Sequence, residues 1–177
     1  MSQSEDAAAS LLLTRREMRA VVVMGMMVLG LGFAEQNALA TDSPTDPCSL
    51  LTAAQVSNAM GNKYSAPEKS VAPRPFVNTV QGTDCQYKAA TGQDQVFFRV
   101  YFDVSAAQAT DLHTRLKMFF GKDSTPANVA DEAYIDKSDA IHVRKGNVRY
   151  FLSISHGDTP SGRKQTLALA TLVAGEL

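Results

Sequence analysis

Between Gln95 and Val104 the chain alternates without a break, with Val96, Phe98, Val100, Phe102 and Val104 apolar and Phe97, Arg99, Tyr101 and Asp103 between them. Strand side chains alternate between faces, so this run predicts a strand with one apolar core face and one mixed face of aromatics and charges. The break Ala90 to Asp94 separates it from a shorter run, Cys85 to Ala89, and the pair predicts a hairpin. Further on, Glu132 to Ile135, Ala140 to Arg144 and Val148 to Ser155 carry strand-like runs. The last two are joined through Lys145-Gly146-Asn147, and a Gly-Asn pair suits the tight two-residue turns of hairpins.

The apolar spacing changes to that of a helix in three places. Thr52 with Gln55 three residues later is a capping box, Leu51 and Val56 stand at the staple positions, and Gly61 is placed to end the helix, so Ala53 to Met60 is predicted helical. Ser105 and Gln108 repeat the signature, and Ala109, Leu112, Leu116 and Phe119 recur at helical spacing, which predicts a helix from Ala106 to Phe120. Pro160, Ser161 and Gly162 precede a closing helix from about Arg163 to Ala174, rich in Leu and Ala. The segment Asn62 to Thr83 holds Pro67, Pro73 and Pro75, so it is expected to be loop with at most an edge strand. Together these elements predict an α+β fold: an antiparallel sheet of about five strands, two longer helices packed on one face, and a short N-terminal helix.

The N-terminal pattern is of another kind. Arg15, Arg16 and Arg19 precede the apolar run Ala20 to Phe33, and Ala38-Leu39-Ala40 follows. A basic region, a short apolar core and an A-x-A site make a secretory signal peptide over residues 1–40, and an apolar core of this length is short for a membrane helix. The stretch Thr14-Arg15-Arg16-Glu17-Met18 also resembles a twin-arginine signal, with Arg19 where that pattern has a second apolar residue. Cleavage after Ala40 leaves residues 41–177 as a single domain, periplasmic or secreted, with no stable membrane span. From Thr41 onward 14 basic residues balance 14 acidic ones, and no long run of one charge appears, which excludes bulk electrostatic binding of nucleic acid.

Compartment then decides the two cysteines. Cys48 lies beyond the cleavage site and follows Asp46-Pro47, so it is not placed as a lipid-bearing residue, and no C-x-x-C spacing lowers a thiol pKa. Two thiols without a matching His pair do not complete a zinc site. An isolated pair in an oxidising compartment is most simply a disulfide, so Cys48 and Cys85 are expected to be joined.

Several short motifs carry a family resemblance. Asp46-Pro47-Cys48 with Leu50-Leu51-Thr52, the second cysteine in Asp84-Cys85-Gln86-Tyr87, the later Asp131-Glu132-Ala133-Tyr134 and the run Ile141 to Ser155 before an Ala/Leu-rich helix look like a group of small exported bacterial proteins of unknown function. They resemble the DUF3558-type families, many of whose members are lipoproteins with the same D-P-C-x-L start. The resemblance implies an exported protein and carries no catalytic residue.

Catalytic patterns are sparse. His113, His142 and His156 have no metal-binding spacing, so neither a metal nor a cofactor is expected. Ser153, Ser155, His156 and Asp158 cluster near a strand end, but neighbours on a strand face opposite ways and no nucleophile elbow is present. The more informative feature is the hairpin around Gly146-Asn147, which sets Arg144 opposite Arg149. Like charges directly opposite are destabilising unless they hold an anion or a carboxylate. With Phe97, Arg99, Tyr101, His142 and Phe151 they form a candidate binding face of aromatics and arginines, the make-up of an interaction surface. Its partner would be an envelope protein, a peptide or an anionic glycan. The other arrangement consistent with the sequence has the Ala53 to Met60 helix and the Pro-rich loop covering those aromatics. The functional expectation is an exported, non-catalytic binding or accessory module of the bacterial envelope, with a small secreted or periplasmic enzyme as the alternative.

Overall fold

The computed structural model of the protein describes residues 43–155 and 162–177. The expected signal peptide, and His156 and Asp158 of the polar cluster, lie outside the described residues. A 3-10 turn at Pro47–Leu50 leads into helix α1, Ala53–Met60, which is capped as the sequence writes it. The Thr52 N–H donates to Gln55 Oε1 at 2.7 Å and the Gln55 N–H donates to Thr52 Oγ1 at 3.2 Å, so the box closes from both sides. Gly61 ends the helix in the left-handed region at φ +70, where a side chain would be strained.

The strands are β1 Glu68–Ala72, β2 Gly82–Lys88, β3 Gln95–Phe102, β4 Thr125–Ala127, β5 Glu132–Ile135, β6 Ile141–Lys145 and β7 Val148–Ser155. They form one sheet in the order β1-β2-β3-β7-β6-β5-β4, and every pairing is antiparallel. The α+β class and the antiparallel sheet therefore stand as expected, but the strand count is seven rather than about five. The two additional strands are the edges. β1 is exposed along four of its five residues and β4 carries Pro126, so neither has the alternating burial that marks an inner strand.

Register fixes which residues share a face. Phe98 lies opposite Cys85 on one side and Leu152 on the other, while Val143 pairs with Tyr150 and Ile141 with Leu152. These residues, with Val96 and Val100, build the core face, which is closed by α1 and by α3, Gly162–Glu176. Leu169, Ala170 and Val173 of α3 are buried there, and the Tyr150 hydroxyl donates to the Ala170 carbonyl at 2.7 Å. The Cys48–Cys85 disulfide is present, with Cα atoms 5.7 Å apart, and it pins the Pro47–Leu50 turn to β2. Next to it the Tyr87 hydroxyl donates to the Leu51 carbonyl.

Helix α2, Ala106–Phe120, does not join α3 on the core face. Its His113 ring sits 5.2 Å from Tyr134, and Tyr134 is in register with His142, which is in register with Phe151. Phe151 follows Tyr150 in the strand and so points to the opposite side of the sheet. The expectation of both longer helices on one face is thus corrected: α3 covers one face and α2 covers part of the other. The physical reason lies in the stripes. α3 offers small and aliphatic residues to an aliphatic face, whereas the buried residues of α2 are Ala109, Leu112 and His113, suited to a face of mixed polarity. This rotation also leaves Phe119, which the helical spacing places on the buried stripe, 69% exposed. Strand β3 ends at Phe102 instead of running to Val104, although the Asp103 N–H still donates across to the Asn147 carbonyl at 2.8 Å.

Candidate functional site

The hairpin around Gly146-Asn147 forms as read, with φ +56 at Gly146 and Arg144 directly opposite Arg149. Each arginine then finds its own carboxylate. Arg149 is buried and holds the buried Asp103 through two hydrogen bonds, Nε to Oδ2 at 2.5 Å and Nη2 to Oδ1 at 3.0 Å. Its guanidinium carbon also lies 4.9 Å from the centre of the Tyr101 ring. Arg144 donates to Asp131 Oδ2 at 3.1 Å, and that same oxygen accepts the Gly146 N–H at 2.7 Å. Arg99 grips Asp84 with Nε and Nη2 at 2.6 and 2.9 Å. The repulsion between facing arginines is therefore offset inside the chain, by carboxylates placed beside each of them.

What remains on this side of the sheet is an aromatic groove. Its floor comes from Arg99 and Tyr101 of β3, Phe151 of β7 and His142 of β6. One wall is the Pro-rich loop, through Pro73, Pro75 and Phe76, and the other is the end of α2, through Leu116, Phe119 and Phe120. The cavity measures about 710 Å³. The two walls touch, since the Phe76 and Phe119 ring centres lie 6.1 Å apart. The loop is also tied to the floor, because the Tyr101 hydroxyl donates to the Pro73 carbonyl at 2.9 Å. Gly82 allows this floor to exist: a Cβ there would meet the Tyr101 ring at 2.6 Å and the Val100 carbonyl oxygen at 2.8 Å.

An aromatic column runs from the buried helix face into the groove. The rings of Tyr134 and His142 stack nearly parallel at 4.6 Å, Phe151 meets His142 edge-on at 4.9 Å, and Phe97 meets Phe151 edge-on at 6.1 Å. His142 Nε2 lies 3.1 Å from Asp136 Oδ2. Burial lowers the His142 pKa, and the Asp136 carboxylate pulls it back only in part. For Asp136 burial acts upward, but hydrogen bonds from the Ser138 hydroxyl, His142 and the Ser138 N–H outweigh it, so its carboxyl is held below the ordinary range. At neutral pH the pair is thus a carboxylate beside a neutral imidazole. His113 lies deeper, buried and with Nε2 unpartnered, and burial pushes its pKa down to about 4.

Of the seven residues of the expected face, the groove gathers Arg99, Tyr101, His142 and Phe151. Phe97 lies beside it, and Arg144 and Arg149 serve the internal ion pairs. Helix α1 packs with α3 on the other side of the sheet, so its part of the covering arrangement does not form, whereas the Pro-rich loop does lie against the aromatic side through Pro73, Pro75 and Phe76. Phe97 and Phe151 are half-buried. Sequence reasoning passed over Phe76, Phe119, Phe120 and Asp136. One signal for the first three was present: the adjacent phenylalanines Phe119 and Phe120 at a helix end cannot both join a single buried stripe, and a third, Phe76, sits in the Pro-rich loop. Among the described residues no cluster of His, Cys, Asp and Glu suits a metal ion, and no helix is long and apolar enough to cross a membrane. The chain matches no family model, no curated protein and no solved structure.

Proposed function

We propose that the chain is an exported, non-catalytic binding module of the bacterial envelope, and that the groove between α2 and the Pro-rich loop is its ligand site. One observation carries this reading: a cavity of about 710 Å³ lined mainly by aromatic and proline side chains, whose charged members, Arg99 and Asp136, are each engaged by a neighbour. Ligand sites are concave, mostly apolar and of a few hundred Å³, with few polar groups to set orientation. Support for export comes from the basic, apolar and A-x-A pattern before residue 41 and from the disulfide, which belongs to an oxidising compartment.

The enzyme alternative has one observation behind it. A histidine oriented by a carboxylate, as in His142 and Asp136, is how general bases are built. A base needs a nucleophile or substrate proton in reach, and the groove lining offers no serine, threonine, cysteine or lysine. Its one hydroxyl, on Tyr101, already donates to Pro73. Binding is the better fit.

Titration of the purified protein with an environment-sensitive anilinonaphthalene dye tests the site. One equivalent is expected to bind, with affinity reduced severalfold by Phe120→Ser and by Phe151→Ala. Equal binding by all three proteins would place the ligand elsewhere. Turnover of model esters or glycosides that disappears in His142→Ala would favour the enzyme instead.

A further inference from the structure

The rim of the groove is unusual for a surface facing only water. Val77 is 88% exposed, Phe119 is 69% exposed, and Phe120 is 58% exposed. These residues come from two separate elements, the Pro-rich loop and the end of α2, held together by the Phe76–Phe119 contact. Clustered exposed apolar side chains of this size mark an interaction site. Two cations flank them: Arg74 stands between the lining residues Pro73 and Pro75, and Lys122 follows Phe120 by two residues. Both are exposed, and among the described residues neither forms an ion pair.

The interior of the groove narrows the ligand further. A glycan or an extended peptide brings many hydroxyls or amides that must be hydrogen-bonded when buried. Here Asp84 holds Arg99, Pro73 receives the Tyr101 hydroxyl, and Ser138, Ala140 and His142 surround Asp136. A hydrocarbon chain makes no such demand and gains from contact with phenylalanine rings. Resting on the binding reading above, we infer that the groove takes one acyl chain of an anionic phospholipid, drawn from a membrane surface on which the rim docks. Val77, Phe119 and Phe120 enter the interfacial layer, Arg74 and Lys122 meet the phosphate groups, and the chain lies along Phe151 and Leu116. Apolar insertion combined with attraction of basic residues to anionic headgroups is how peripheral proteins hold a membrane.

The test is flotation of the mature protein with phosphatidylglycerol vesicles and with phosphatidylcholine vesicles, followed by native mass spectrometry of the recovered protein. Wild type is expected to float with phosphatidylglycerol, more weakly with phosphatidylcholine, and to retain one phospholipid per chain. Phe119→Ser with Phe120→Ser should weaken flotation about tenfold or more. Arg74→Glu with Lys122→Glu should remove the preference for the anionic lipid. All four positions are exposed, so the variants should still fold, which a cooperative thermal melt checks. Absence of both flotation and bound lipid in wild type overturns the inference. If the dye still binds one equivalent in that case, the groove remains a site and only the lipid assignment falls; if the dye fails too, both fall. A concentration-dependent dimer of the wild type, abolished by the Phe119 and Phe120 changes and without lipid uptake, would assign the rim to a second copy of the chain and likewise overturn it.

Discussion

Two buried residues on the groove side set measurable properties of the protein. His113 is neutral because burial pushes its pKa from 6.5 to about 4. Between those values the unfolded chain binds a proton that the folded chain refuses, so acid favours unfolding. His142, also lowered by burial, acts in the same direction. Stability is therefore fully present above about pH 6.5 and declines toward pH 4, with His113 alone worth about 3 kcal/mol over that span. The lowered carboxyl of Asp136 adds a further loss only below its ordinary value of 3.8. Urea unfolding of His113→Phe across this pH range should show a shallower slope than wild type, and an unchanged slope would contradict the assignment. The Asp103–Arg149 pair behaves differently. Arg149→Met leaves a buried carboxylate without its partner and is expected to cost about 3 to 5 kcal/mol. The double change Asp103→Leu with Arg149→Met removes both charges and should recover much of that loss, measured by the same unfolding experiment.

Helices show where local chemistry is enough and where it is not. α1 and α2 begin and end at the residues that caps and glycines mark, because each cap is a contact over three or four residues. Thr52→Ala should cost about 1 kcal/mol, read as a lowered urea midpoint. Even so, the second box differs from the first: Ser105 caps the Gln108 N–H at 3.1 Å, but the Gln108 side chain accepts from Val104, one residue earlier than in a closed box. Which face a helix covers is not local. The stripe of α2 is legible as Ala109, Leu112, Leu116 and Phe119, yet its rotation toward His113 is set by Tyr134 and His142, twenty residues and more away in the chain. Strand β4 was hidden, and β1 was allowed for only as an edge strand of the Pro-rich segment, for a related reason, since both are held by pairing with β5 and β2 rather than by a buried face of their own.

For the molecule as a whole, the sheet's two-sidedness was legible and its use was not. The alternation in β3 and the turn at Gly146-Asn147 separate Phe98, Tyr150 and Leu152 from Phe97, Arg99 and Phe151, as found. The groove needed the third dimension, because its walls come from a Pro-rich loop without periodicity and from a helix end that periodicity places in the core. Carboxylates that neutralise the arginines were in view as sequence, but Asp103 and Asp84 become partners only through strand register. At this scale the disulfide matters most for persistence. It closes a loop across a separation of 37 residues, so replacing both Cys48 and Cys85 with Ala should lower stability by about 4 kcal/mol while leaving the sheet side of the groove intact. Thermal melting with and without reductant checks this: wild type should lose stability on reduction and the double variant should not respond.

The groove itself is most directly tested by nuclear magnetic resonance of the isotope-labelled protein titrated with a short-chain phosphatidylglycerol below its micelle concentration. Saturating shift changes confined to Leu116, Phe119, Phe120, His142 and Phe151 are expected, with Leu169 and Val173 on the far side of the sheet unmoved. Shifts centred on α1 and α3, or none at any residue, would contradict the account.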